Sequence, residues 1–198
     1  MHRSAVMVCA ALVLGLVLGA ARAETIESVT TSLDLKKCRH SAGKDDEDYG
    51  SWRCRGLGGI AVHVAAGDQR SFVSYGASAA REPAARQTLM SFNGEGKAIE
   101  WRGTRRADKR FVPFATIMRW STTVSGEDKP VRGAMLVVTR LGPGGVCHVG
   151  YVDAQANADA AALAQQIADE RARSFRCGTD KPVILGKQGP GFSGPANE

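Results

Sequence analysis

At 198 residues the chain is long enough for one domain with a substantial core. It carries 26 Lys plus Arg against 20 Asp plus Glu, and loss of Arg3 and Arg22 with a leader leaves 24 against 20. That mildly basic balance suits an anionic partner such as an envelope polymer without demanding one, and beyond the first residues no apolar stretch is long enough to span a membrane.

The leader is legible in residues 1–23. "MHR" is a short positive start, "AVMVCAALVLGLVLGA" is an uncharged apolar run, and Ala21-Arg22-Ala23 offers small residues where a signal peptidase reads. Cleavage is expected before Glu24. The run is somewhat short for a membrane anchor. Cys9 lies inside it rather than after it, so a lipid-modified cysteine is disfavoured. Without Cys9, four cysteines remain: Cys38, Cys54, Cys147 and Cys177. An even number in an exported chain reads as two disulfides.

"ETIESVTTSLDL" is rich in β-branched residues and predicts a first strand. "KKCRHSAGKDDEDYGS" predicts a polar loop. Its acidic run, Asp45 to Asp48, could gather calcium, but the EF-hand spacing is absent and a solvated acidic loop is the favoured reading. "WRC" leads through "RGLGG" into the strand "IAVHVAA", which puts Ile60, Val62 and Val64 on one face and Ala61 and His63 on the other. A turn at Gly67-Asp68 makes "QRSFVSYG" the hairpin partner.

Residues 77–96 predict a long loop with one helical turn, broken by Pro83. "AIEWRG" is a short strand and "TRRADKR" a charged loop. Arg102, Arg105, Arg106, Lys109 and Arg110, flanked by Trp101 and Phe111, form the candidate surface for an anionic partner. "FVPFATIMRWSTTV" is a strand with Pro113 at its start. "AMLVVTRL" is apolar on both faces, as in a central strand covered on both sides. In the strand "VCHVGYVDA", alternation puts Cys147, Val149 and Tyr151 on the core face and His148 outward. From Asn157 to about Phe175 the period is helical, with Asn157 as cap and Leu163, Ala164, Ile167, Ala168, Ala172 and Phe175 on the apolar side. Gly178 is the natural stop. After "KPVILG", residues 187–198 are Gly/Pro-rich and read as a disordered tail.

These elements predict an α+β fold: mainly antiparallel β-sheet, bent or barrel-like, with one long C-terminal helix packed on it. Residues 24–186 form a single disulfide-stapled domain. The lack of β-α alternation argues against a nucleotide-binding doubly wound fold.

Three constellations invite chemistry. Cys38, His40, Cys147 and His148 could be collected by zinc, but they lack the close cysteine pairs of structural sites, and adjacent Cys147 and His148 point to opposite faces. Pairing as disulfides explains the cysteines better. A helix folded back across its preceding strand brings Cys177 near Cys147, leaving Cys38 and Cys54 to close the acidic loop. Gly56-x-Gly58-x-x-Ala61 matches a loose dinucleotide pattern, but a strand follows where that pattern needs a helix. His63 and His148 remain as residues that could line a shared groove. There is no G-x-S-x-G elbow and no obvious carboxylate pair. No catalytic residue, metal or cofactor is assigned.

"LGPGGVCHVGYVDA" (Leu141–Ala154) with the helix "DAAALAQQIADERARSFRC" resembles a group of small uncharacterised secreted bacterial proteins, as do "WRCRGLGG" and "GDQRSFVSYG". The resemblance implies that both disulfide halves belong to one domain, and it implies no activity. The sequence therefore points to an exported, non-enzymatic binding domain, periplasmic or secreted. Its partner would be an anionic envelope polymer or a protein, a hydrolase to be inhibited being one form. Nucleic acid is an improbable target for an exported chain. Two other readings are an envelope hydrolase built on His63, His148 and Asp153, and a β-barrel carrier of a small apolar ligand.

Overall fold

The computed structural model describes residues 24–43 and 49–196. The expected leader, residues 1–23, the segment 44–48 with its acidic run Asp45–Asp48, and the last two residues lie outside the described residues. Among the described residues, eleven strands and one α-helix follow in order: β1 (Ile26–Ser32), β2 (Arg39–Ala42), β3 (Gly50–Arg55), β4 (Ala61–Gly67), β5 (Arg70–Tyr75), β6 (Phe92–Gly94), β7 (Ala98–Arg105), β8 (Phe111–Val124), β9 (Val131–Arg140), β10 (Cys147–Asp153), α1 (Ala160–Arg171) and β11 (Val183–Leu185).

The strands form two sheets. The larger has the order β1-β7-β8-β9-β10-β11, with β6 pairing to β8; the smaller has the order β2-β3-β4-β5. All pairings are antiparallel except β10 with β11. Period-2 alternation then sorts side chains into two cores. Val62, Val64, Val73 and Tyr75 from the small sheet meet Trp101, Met118, Trp120, Met135 and Val137 from the large one. On the other face of the large sheet, Ile117, Val138, Val149 and Val152 meet Ala164, Ile167 and Ala168 of α1. The molecule thus has three layers: small sheet, large sheet, helix. β9, buried on both faces, is the covered central strand its composition predicts.

The expected barrel does not close. β1 and β11 are the two ends of the large sheet and do not pair with each other. The polar segment after Cys38 is not a loop but β2, because it finds a pairing edge on β3 from Arg39↔Arg53 to Ala42↔Gly50. The β4–β5 turn sits one residue later than composition suggests. Gly67 pairs with Arg70, and Asp68 and Gln69 take positive φ of 50° and 57°, as a two-residue hairpin turn with the strands' own twist requires. Gly67 ends the strand, paired with Arg70, and the Tyr49 ring lies over it: an added Cβ would fall 2.1 Å from that ring.

The helix is shorter than its periodic pattern. It runs from Ala160 to Arg171. Asn157 does not cap it; its amide donates to the carbonyls of Asp153 and Lys187, tying the helix approach to the chain after β11. Nor are residues 187–196 a free tail. Thr122 donates to the Gly191 carbonyl at 2.9 Å, Ser193 Oγ accepts from the Ser91 amide, and Leu89 bridges Pro195. Backbone pairing along this strap supplies what its composition lacks in hydrophobic weight.

Candidate functional site

Both expected disulfides are present. Cys38–Cys54 has a Cα–Cα distance of 4.6 Å and Cys147–Cys177 one of 5.8 Å. The first pins β2 to β3, and the second pins the start of β10 to the chain leaving α1. Two bridges fit an oxidising compartment. All four thiols are therefore spent on structure, and among the described residues no group of three His, Cys, Asp or Glu side chains could hold a metal.

His148 is not on the surface. Its relative exposure is 0%. Its ring sits edge-on to Trp120 and to Tyr151, at 5.8 and 5.7 Å between centroids, in the core between the sheets. A bulge explains the departure from simple alternation. The β10–β9 register shifts between His148 and Gly150, so Val149 and Gly150 both face the helix and Tyr151 rejoins the side of His148. His148 Nδ1 lies 2.9 Å from the Tyr151 hydroxyl, whereas Nε2 has no hydrogen-bond partner among the described residues. Burial pushes the imidazole down to about 3. Its backbone amide donates to Gln87 Oε1 at 2.7 Å.

His63 lies on β4 between the buried Val62 and Val64, on the face turned away from the core. It and His148 are therefore on opposite sides of the small sheet and line no common groove. Burial and the neighbouring Arg53 hold the His63 imidazole below its ordinary value. Asp153, the third member of the hydrolase constellation, is a structural anchor. Although burial acts to raise its carboxyl, amides of Gly189, Ala156 and Gln155 hold it below the usual range.

The basic stretch around Trp101 is dispersed. Arg102 is buried: its guanidinium binds Asp169 of α1 with two nitrogens and reaches Ser28 Oγ with a third. It fastens helix to sheet and is no contact surface. Arg105 pairs with Glu27 and lies over Phe111, and Arg110 pairs with Asp108. Arg106 and Lys109 remain exposed in the β7–β8 turn.

A stronger cationic surface lies where composition predicts a loop. Register places Arg39 opposite Arg53, Arg53 opposite His63, and His63 opposite Ser74. Arg39, Arg53 and His63 belong to the outer face of the small sheet, since the intervening positions carry Cys54, Val62, Val64 and Val73 inward, whereas Ser74 at the end of the row is buried. Neighbouring strands are ~4.8 Å apart, so Arg39 and Arg53 form a closely spaced cationic pair with the His63 imidazole, held toward its neutral form, beside it. Neither Arg39 nor Arg53 makes an ion pair among the described residues, nor does Arg55 two positions along β3. Like charges directly opposite on a sheet are destabilising, whereas an opposite-charge pair there would stabilise by roughly 0.2–1 kcal/mol.

The same face continues into a shallow groove of about 230 Å³. Its floor is Ser41, Ser51 and Ala65, and Phe72 and the 48% exposed Tyr49 flank it. Small residues keep the floor low while the two aromatic rings stand above it. The arrangement can bind oxyanions through the arginine forks and lay a flat, partly apolar ring against Tyr49 or Phe72.

No family model, curated protein or solved structure matches the chain.

Proposed function

We propose that the protein is an exported binding domain, periplasmic or secreted, for an acidic polysaccharide of the cell envelope, which it holds on the outer face of β2-β3-β4-β5. The observation that carries this reading is the Arg39–Arg53 pair, followed by His63, without a carboxylate partner among the described residues and running beside Tyr49 and Phe72. The separation of the two guanidinium groups, one strand spacing of ~4.8 Å, is close to the advance of one sugar ring along a chain bearing an acid on every ring. Ser41 and Ser51 add hydroxyls that exchange hydrogen bonds with sugar hydroxyls. The readable leader and the two disulfides support the compartment.

The hydrolase reading needs His63 and His148 in one cleft, and the small sheet separates them. The carrier reading needs a closed barrel, and the sheets remain open with filled cores.

Calorimetry of the chain, expressed with its leader and isolated after export, tests the proposal. Polygalacturonate is the acidic probe and dextran the neutral control. Arg39→Ala/Arg53→Ala is expected to weaken polygalacturonate binding on the order of tenfold, equivalent to about 1.4 kcal/mol. Binding is expected to weaken further as salt rises. Equal affinity for dextran, or an unaffected double variant, would rule the face out.

A further inference from the structure

A second cationic surface lies on the opposite side of the molecule. α1 has 12 residues and spans ~18 Å, whereas β8 has 14 and spans ~46 Å. The helix therefore covers only part of its face of the large sheet. Ile117 of β8 lies under α1, and the next residues on that face, Arg119, Ser121 and Thr123, are exposed. β9 continues the surface with Arg132, two positions before Ala134 and opposite Thr123.

The uncovered part is a groove of about 820 Å³. Lys97, Arg119 and Arg132 supply three cations, and Ser121, Thr123 and Gln155 supply hydroxyls and an amide. None of the three cations makes an ion pair among the described residues. The one carboxylate bordering the groove among the described residues, Glu95, is engaged by the Ser71 hydroxyl of the small sheet. The groove is built into the fold: Gly96 and Gly133 allow close approaches to the Arg119 and Gly191 carbonyls, where an added Cβ would lie 2.2 and 2.0 Å away.

We infer that the molecule is bivalent: the Lys97–Arg119–Arg132 groove takes a second strand of the same acidic polysaccharide, so that one protein bridges two polymer chains. This rests on the reading that the outer face of the small sheet holds the first strand. The three-layer fold directs the two surfaces away from each other, one outward from the small sheet and one on the helix side of the large sheet. One strand cannot lie flat on both at once, so the second surface serves another strand. Charge complementarity selects the same polymer, because both surfaces offer cations without an ion-pair partner among the described residues, beside hydroxyls.

Light scattering of the exported chain mixed with polygalacturonate tests bivalency. The expected result is a scattering maximum at an intermediate ratio that falls away when either component is in excess. Lys97→Ser/Arg119→Ser/Arg132→Ser is expected to keep calorimetric binding to the first surface and lose most of the scattering maximum. A control removing equal charge elsewhere, Arg106→Ser/Arg171→Ser/Lys181→Ser, is expected to keep the maximum. A groove variant that scatters as the parent does, as it would if bridging came from self-association, overturns bivalency. So does a parent that binds but never scatters, or a control that loses the maximum equally. A parent that does not bind polygalacturonate at all overturns the earlier reading instead.

Discussion

Arg39 and Arg53 face each other across β2 and β3, one residue from the Cys38–Cys54 bridge, and neither has an acidic partner among the described residues. Among the described residues no carboxylate offsets the two guanidinium groups. The bridge holds the pair together and the pair repels.

Relief of that repulsion should separate stability from binding. Arg53→Glu places a carboxylate opposite Arg39 and is expected to stabilise by up to about 1 kcal/mol. For a chain of this size that is a rise in Tm of roughly 2–4 °C. The same variant should lose polygalacturonate binding. Thermal melting and calorimetry on one sample check both, and a fall in Tm with binding retained contradicts the account.

The Cys38–Cys54 bridge should matter to binding as well as to stability. β2 has four exposed residues and pairs with β3 alone. Cys38→Ala/Cys54→Ala is expected to cost about 2–4 kcal/mol of stability, since the 16-residue separation no longer restricts the unfolded chain. At temperatures where the variant is still folded, hydrogen exchange should show β2 amides losing protection while those of β8 and β9 keep it.

His148 should make the protein sensitive to mild acid. Burial holds its imidazole at about 3 in the folded protein, against an ordinary value of 6.5 that the unfolded chain retains. Between those values the unfolded chain binds the extra proton. Stability is full above about pH 6.5 and falls with pH, approaching about 1.4 kcal/mol per unit, until the folded pKa is reached. Asp153, held low, adds a loss below its ordinary carboxyl range. Urea midpoints from pH 7 to 4 should decline less steeply in His148→Phe than in the parent. Parallel slopes would refute the assignment.

The buried Arg102–Asp169 pair and the exposed Arg105–Glu27 pair should differ in weight. Side-chain exposures are 10% and 26% in the first and 47% and 36% in the second. Asp169→Asn leaves a buried guanidinium short of its counter-charge and is expected to cost about 2 kcal/mol, less than a fully buried pair because Asp169 is partly wet. Glu27→Gln is expected to change stability by no more than about 0.5 kcal/mol. Chemical denaturation of the two variants compares them directly.

Much of the fold was legible in local pattern. The strands around Val62, Val137 and Val149 announce themselves by alternation or continuous apolarity, and the disulfide partners follow from the helix doubling back over β10. The misreadings have non-local causes. A one-residue bulge after His148 reverses which face Tyr151 occupies, and no composition marks it. Asn157 looks like a cap until Lys187, thirty residues on, takes its side chain. The Gly/Pro-rich strap is ordered by pairing with Thr88, Met90 and Thr122. The candidate site was within reach: an antiparallel hairpin closed by Cys38–Cys54 must put Arg39 opposite Arg53. The polarity of "KKCRHSAG" hid it, because an edge strand with one solvated face and no core contact reads as loop.

The most direct test of the central claim is a titration of the isotope-labelled chain with an oligogalacturonate, followed by NMR. The His63 ring, the Arg53 guanidinium and the Tyr49 and Phe72 rings are expected to shift first and together. The buried rings of His148 and Trp120 should stay unmoved. Early shifts confined to Arg106 and Lys109, or to residues outside the small sheet's outer face, would contradict the account.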